Sequence, residues 1–225
     1  MTTKEKAIIS LIKEKFKDIG SFKKIIEYLN TNYPSIKKKG GSSRRTWFLD
    51  NIVIKVAINK KGLAQNEFET EMIDTASDYG IQAEDAVPKL YEILESKGKK
   101  YAVLILEKIN IKNVASKFKK RYGFPIEAFF YNLADMFSDY RNKVFKQQFV
   151  YDGLKKDLEN YNENYEDDRY YQLGLITDLI GNTDLSVSDL VDTRQYGFAK
   201  RDGVEELVIL DLGLSPDIWE THYSK

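Results

Sequence analysis

What most limits the fold of this chain is the order of five short segments along it. A small-residue segment, Gly40-Gly41-Ser42-Ser43-Arg44, comes first. An apolar strand with one lysine inside it follows, Ile52-Val53-Ile54-Lys55-Val56-Ala57. Third is a glutamate-rich stretch with helical spacing, Asn66-Glu67-Phe68-Glu69-Thr70-Glu71-Met72, and fourth an apolar run, Tyr101 to Glu107. Near the end, the strand Leu207-Val208-Ile209-Leu210 is closed by Asp211-Leu212-Gly213. Strand, helix, strand and strand in succession argue for a small sheet with one packed helix, hence an α+β fold.

The flanking segments extend that reading. Residues 4–17 have the spacing of an amphipathic helix, with Ile8, Leu11, Ile12 and Phe16 on one face and Gly20 ending it. Ser21 is placed to cap a second helix carrying Ile25, Ile26 and Leu29, which Asn30 to Pro34 stops. Asp50-Asn51 supplies a turn between Trp47-Phe48-Leu49 and the lysine-bearing strand. A helix is expected over about 63–77 and strands over 89–95 and 101–107. After Ile111 the chain turns helical over 125–160, and Phe129, Phe130, Tyr131, Phe137, Tyr140, Phe145 and Phe149 are spaced as a core rather than as a base-stacking surface. Residues 160–168 read as an exposed acidic segment, 170–180 as a further helix, and Tyr196 to Leu210 as a hairpin turning at Asp202-Gly203.

Composition removes several function classes. The 35 basic residues balance 35 acidic ones, so no global attraction to nucleic acid or membrane is expected. The runs Lys37-Lys38-Lys39 and Lys117 to Arg121 read as solvated faces. No cysteine is present, which excludes disulfides and thiol catalysis and fits a reducing compartment. His222 is the only histidine, so neither a Ser-His-Asp triad nor a histidine zinc site is available. The N-terminus lacks a signal-peptide core and no apolar run reaches membrane-span length, so a cytoplasmic protein is expected.

Each candidate segment has its own chemistry. Gly40, Gly41, Ser42 and Ser43 lack bulk, as backbone N–H groups must if they are to approach a phosphate; a plain linker would look the same. Lys55 points to the same face as Val53 and Ala57, so its ammonium needs either a partner or a route to solvent. Three glutamates follow on the helix. At roughly 100° per residue, Glu69 lies about 60° from the apolar stripe of Phe68, Met72 and Ala76, Glu71 about 100° and Glu67 about 140°. Glu69 therefore turns inward most easily. Asp211, ending an apolar strand beside Gly213, suits a metal or a phosphate-bound cation; a simple strand-ending turn is the alternative.

Together, Gly40 to Arg44, Val53-Ile54-Lys55, Glu69, the strand ending Leu106-Glu107 and Asp211-Leu212-Gly213 resemble the protein-kinase-like superfamily. Gly41 to Arg44, Ile54 to Asn66, Gln195-Tyr196-Gly197 and Leu210 to Leu214 also look like small kinase-like proteins of tailed phages. The resemblance implies a two-lobed fold: an N-terminal helical extension at 1–38, a sheet-bearing N-lobe at 39–109, and a truncated, mainly helical C-lobe at 110–225 with a β-hairpin. It implies ATP and Mg²⁺ as cofactors. Lys55 would contact the nucleotide phosphates, Glu69 would hold Lys55, and Gly40 to Ser43 would cover the phosphates. The backbone around Glu107 would meet adenine, and Asp211 would hold Mg²⁺.

The catalytic base would sit just before the hairpin. Asp189 is the choice among Asp178, Asp184, Asp189 and Asp192, with Asp178 as its competitor. Three positions depart from the family pattern. Ser188 precedes Asp189 where the family has arginine, Arg194 stands at the metal-binding asparagine position with Gln195 next to it, and Leu212 replaces phenylalanine. Twelve residues follow Gly213, so no activation loop is expected. The implied function is an ATP- and Mg²⁺-dependent phosphotransferase. The alternatives are an inactive pseudokinase-type scaffold binding a host or phage protein, or an unrelated α+β binding protein.

Overall fold

The apolar alternation after Gly41 folds into a hairpin of β2 (Arg44–Leu49) and β3 (Ile52–Ala57), joined by Asp50-Asn51 in the register Leu49↔Ile52. The computed structural model describes residues 3–19, 21–33, 37–78, 83–96, 98–137, 168–183, 185, 190–213 and 215–222. It divides into two units, one of residues 1–73, 88–108 and 217–225, the other of 74–87 and 109–216.

In the first unit, β1 (Lys37–Gly40), β4 (Leu90–Ser96) and β5 (Lys99–Glu107) complete an antiparallel sheet in the order β1-β2-β3-β5-β4. The lysine run read as a solvated face is thus an edge strand, with Lys38 opposite Trp47 and Gly40 opposite Arg45. Its backbone gains a ladder with β2. β3 is central and apolar on both faces except at Lys55, which is the pattern of a strand covered on two sides.

One face of the sheet, carrying Trp47, Leu49, Ile52, Ile54, Val56, Val103 and Ile105, packs against two helices. These are α1 (Thr3–Asp18) and α2 (Phe22–Asn32), the latter capped by Ser21 Oγ, which accepts from the Lys24 N–H at 3.3 Å. The buried stripe of α1 is Ile9, Ile12 and Phe16; Leu11, expected inside, is 53% exposed. Both stripes share Ile12 and Phe16 at helical spacing, so periodicity alone could not choose between Leu11 and Ile9. Ile25 and Leu29 of α2 are fully buried in the same core. Lys13 Nζ to Glu92 Oε1 at 2.9 Å and Ser96 Oγ donating to the Ile19 carbonyl at 2.5 Å tie the helices to β4. The apolar faces of α1 and α2 are therefore occupied by the sheet.

The second unit is built on α4 (Val114–Tyr122), α5 (Ile126–Met136), α6 (Asp168–Gly181) and a hairpin of β6 (Tyr196–Arg201) and β7 (Val204–Ile209). The hairpin closes on Asp202 and Gly203 at φ 46° and 94°, the two left-handed residues that a two-residue turn of this twist requires. The second basic run is the outer face of α4. Val114, Phe118 and Tyr122 are buried beneath it, and Lys117 and Arg121 pair with Glu205 and Glu206 of β7.

Aromatic packing forms the centre of this unit. Phe118 stands 5.4 Å from Phe124 and 5.9 Å from Phe129, and Phe130 stands 5.4 Å from Tyr196. Phe129 and Phe130 are buried; Tyr140, Phe145, Phe149 and the acidic segment at 160–167 lie outside the described residues. Gln172 Nε2 donates to the Leu207 carbonyl at 2.7 Å, joining α6 to β7. A short helix the sequence reading did not include, α7 (Pro216–His222), starts on a proline, which suits a first helical position. No helix among the described residues is long and apolar enough to cross a membrane.

Because Leu29 is fully buried between α2 and the sheet, Leu29→Ala should lower the unfolding free energy by about 2–5 kcal/mol. Leu11→Ala, on the outer face of α1, should change it by less than about 0.5 kcal/mol. Urea unfolding of both variants checks this, and equal losses would contradict the packing described.

Candidate functional site

The register of the first hairpin decides which side chains Lys55 can meet. Thr46 lies opposite Lys55 and Arg44 opposite Ala57, so Arg44 and Lys55 emerge on the same sheet face. That face is opposite the one covered by α1 and α2, because Ile54 and Trp47, alternating with these residues, lie in the helix-covered core. Helix α3 (Lys60–Asp78) supplies Glu69 to this face. Lys55 Nζ lies 2.5 Å from Glu69 Oε1, and Arg44 Nη1 lies 2.6 Å from Glu69 Oε2. Glu67 and Glu71 are exposed.

Burial makes this contact exacting. The Glu69 side chain is 0% exposed, and those of Lys55 and Arg44 are 11% and 10% exposed. A carboxylate with no access to water is tolerated only when its lone pairs are taken by good donors. Here each oxygen has its own cation. The guanidinium geometry is extended by Asn66, whose Oδ1 lies 3.5 Å from Arg44 Nη1 and whose Nδ2 donates to the Tyr101 carbonyl at 2.9 Å. One turn of α3 is thereby keyed to both β2 and β5.

The small-residue segment sits above this cluster as a turn of Gly41, Ser42 and Ser43. The Gly41 N–H donates to the Arg44 carbonyl at 2.9 Å. Ser43, buried, donates its hydroxyl to Gln65 Oε1, and its carbonyl accepts from the Ile58 N–H at 2.9 Å. Asn59 links turn and helix: its Nδ2 donates to the Ser42 carbonyl at 3.0 Å, while its Oδ1 accepts from the Gly62 N–H at 3.0 Å. Gly62 is required by contact. A Cβ there would stand 2.1 Å from the Ser43 carbonyl oxygen and 3.1 Å from the Ala57 Cα. Gly41 and Ser42 remain exposed, so small residues face solvent at this turn.

Glu107 ends β5 opposite Ile52. Its N–H donates to the Lys89 carbonyl at 2.8 Å, its carboxylate accepts from the Lys89 N–H at 3.2 Å, and the Lys108 N–H donates to the Asn51 carbonyl at 2.8 Å. Both N–H groups at this strand end are used within the first unit.

In the second unit, the Leu210 N–H donates to the Gln195 carbonyl at 2.8 Å. This bond continues the pairing of Tyr196 with Ile209, so Gln195 and Asp211 share the open end of the hairpin. Asp211 is exposed and Gln195 is half-buried. Their donor set is one carboxylate and one amide carbonyl, both hard oxygens of the kind Mg²⁺ takes alongside water and phosphate. No group of three or more His, Cys, Asp or Glu that could hold a metal occurs among the described residues.

The four aspartates considered as bases fare differently. Asp184 and Asp189 lie outside the described residues. Asp192 caps the short turn Thr193–Gln195 and accepts from the Arg194 guanidinium at 2.5 and 2.8 Å and from the Arg194 N–H at 2.8 Å. Those hydrogen bonds hold its carboxyl below the usual carboxylate range. Asp178 lies on the outer side of α6, where partial burial of its carboxyl pushes the pKa up. His222 ends α7, and its carbonyl accepts from Lys61 Nζ at 3.3 Å.

Sequence reasoning singled out Lys55 and Glu69 but gave no role to Arg44, Asn59, Gln65 or Asn66. The signal for Arg44 was present: once Asp50-Asn51 fixes the turn, two-residue alternation puts Arg44 on the face of Lys55. Gln65 and Asn66 lie four and three residues before Glu69, hence on the same side of the helix.

Removing the shared carboxylate should be costly. Glu69→Gln removes the buried carboxylate shared by two partly buried cations and should destabilise the fold by about 3–5 kcal/mol. Glu67→Gln, at an exposed position of the same helix, should stay within about 0.5 kcal/mol. Guanidinium unfolding at matched ionic strength measures both, and an indifferent Glu69→Gln would refute the clamp.

No protein-family model matches the sequence, and no curated protein matches it. Among solved structures, the chain is similar to the ternary complex of streptomycin, ATP and APH(2″)-IIa, at 13% identity and a TM-score of 0.37, over 84% of this chain and 70% of that one. It is also similar to a choline/ethanolamine kinase family protein from Mesorhizobium loti, at 12% identity and a TM-score of 0.31, over 91% and 64% of the two chains. A third is the choline kinase LicA from Streptococcus pneumoniae, at 16% identity and a TM-score of 0.29, over 85% and 68%. What those proteins bind belongs to them. The architecture of this chain is α+β: a small antiparallel sheet with α3 beside Lys55, a helical hairpin on the other sheet face, and a mainly helical unit bearing a β-hairpin.

Proposed function

We propose that the chain is a nucleotide-dependent phosphotransferase of kinase-like fold, using ATP and Mg²⁺. The observation that carries this reading is the fully buried Glu69 carboxylate clamped by Lys55 and Arg44 beneath the small-residue turn Gly41–Ser43. An ammonium fixed at one place beside exposed, unbulky backbone is what a polyphosphate needs: positioning and neutralisation of charge, with little covalent work for the protein.

In this reading Lys55 grips the α- and β-phosphates and Gly40, Gly41, Ser42 and Ser43 cover them. With the Glu107 and Lys108 N–H groups engaged, adenine meets a backbone carbonyl of the β5 end. Asp211 holds Mg²⁺, with Gln195 as the second oxygen donor; when bound, the cation neutralises charge on the transferred phosphoryl group. Asp189, outside the described residues, is the base that orients the acceptor hydroxyl. A second reading, a nucleotide-binding scaffold without transfer, is favoured by one observation. Arg194, at the position where a metal-binding asparagine belongs, is folded back onto Asp192 and offers no oxygen ligand.

Thermal unfolding with and without ATP and Mg²⁺ tests the binding step. At a nucleotide concentration about 100 times Kd, the wild-type chain should gain about 2.7 kcal/mol. The gain should vanish in Lys55→Ala and lose its Mg²⁺ dependence in Asp211→Asn, in variants shown by circular dichroism to be folded. Transfer of labelled γ-phosphate to small hydroxylated or protein acceptors, lost in Asp189→Asn while the thermal gain persists, separates the enzyme from the scaffold. Absence of any gain in the wild-type chain would overturn both readings.

A further inference from the structure

We infer that Arg44 is a positioning residue for Lys55, acting through the far oxygen of Glu69; the inference rests on the nucleotide-binding reading for its consequence but not for its geometry. A carboxylate with one cation can rotate about its terminal torsion and carry that cation with it, since this torsion is broad and roughly two-fold. Glu69 does not have that freedom. Oε1 is held by Lys55 at 2.5 Å and Oε2 by Arg44 at 2.6 Å, and the carboxylate itself has no solvent exposure. The plane of the carboxylate is therefore set by two anchors on adjacent strands, and the Lys55 ammonium inherits a fixed position.

Arg44 is suited to this by where it stands. It is the first residue of β2, immediately after the turn whose Ser43 is bound to Gln65 of α3. The next side chain inward on the same helical side, Asn66, also contacts the guanidinium and is itself tied to the Tyr101 carbonyl of β5. A displacement of the turn therefore shifts Arg44, then Glu69, then Lys55. The guanidinium is a planar fork that keeps its charge at all working pH values, whereas a lysine at this place would be a single mobile point charge. Arg44 touches no reacting atom in this account; it sets the place from which Lys55 acts.

The experiment has two arms. Nitrogen-15 NMR of the lysine side-chain ammonium groups, without nucleotide, reads the position directly. Lys55 should give a slowly exchanging, well-ordered signal in the wild-type chain, lost in Arg44→Gln and in Glu69→Gln, and partly restored in Arg44→Lys. ATP titration with Mg²⁺ reads the consequence: Arg44→Gln should weaken nucleotide affinity by about tenfold, the size of one lost charge-assisted contact, and Arg44→Lys should recover part of it. An ordered Lys55 signal in Arg44→Gln that disappears only in Glu69→Gln would overturn the positioning role. Wild-type protein that fails to bind ATP but shows Arg44-dependent ordering of Lys55 would instead overturn the nucleotide reading and leave the positioning role standing.

Discussion

The structure of the first unit depends on a carboxylate that has no water. Glu69 is fully enclosed, and it is there because α3 lies across the face of the sheet that carries Lys55 and Arg44. Burying an anion of this size costs several kcal/mol even after relaxation, and the cost is offset only by well-placed partners. The helix cannot slide or rotate without withdrawing Glu69 from one of its cations. The hydrogen-bonded stripe before it, Gln65 and Asn66, extends the same constraint to the Gly41–Ser43 turn and to Tyr101 in β5. Apolar packing would tolerate small shifts of such a helix; a two-cation clamp does not.

That constraint is workable because the other sheet face is secured separately. Trp47, Ile54 and Val103 are buried under α1 and α2, so the sheet is shielded on that side by an apolar core, with the Lys13–Glu92 pair and the Ser96–Ile19 hydrogen bond at its β4 edge. The buried ion cluster lies on one face and the large apolar core on the other. The alternation of β3 records the division: Ile52, Ile54 and Val56 belong to the helix-covered core, while Val53, Lys55 and Ala57 face α3. The second unit is stabilised differently, by stacked and edge-on aromatics around Phe118 and by the buried Arg201, whose Nε stands 3.3 Å from Asp85 Oδ1 and whose Nη2 donates to the Val87 carbonyl at 3.3 Å.

Some of the site could be read before any fold was known. Lys55 is conspicuous because a lone charge in an apolar strand demands a partner, and the angular position of Glu69 relative to Phe68, Met72 and Ala76 distinguishes it from Glu67 and Glu71. Arg44 escaped because it lies in a segment read for its small residues, and its direction follows only from the strand register. The basic run in α4 reads as a solvated face from its lysines, while the packing of the helix buries Phe118 within it. Lys37 to Gly40 could not be identified as a strand because three lysines and a glycine have no apolar alternation, and only the neighbouring ladder makes them one.

By itself the sequence determined the local conformations. These include the helix capped at Ser21, the two hairpin turns at Asp50-Asn51 and Asp202-Gly203, and the alternation that puts Lys55 out of the main core. Such features depend on neighbours within a few residues, where propensity and side-chain spacing suffice. Tertiary structure alone decided that Arg44 and Lys55 would share one carboxylate, that Ile9 rather than Leu11 would be buried, and that Gly62 would lie against the Ser43 carbonyl. Each of these depends on which faces meet, and two faces of similar pattern can be told apart only when another part of the chain covers one of them.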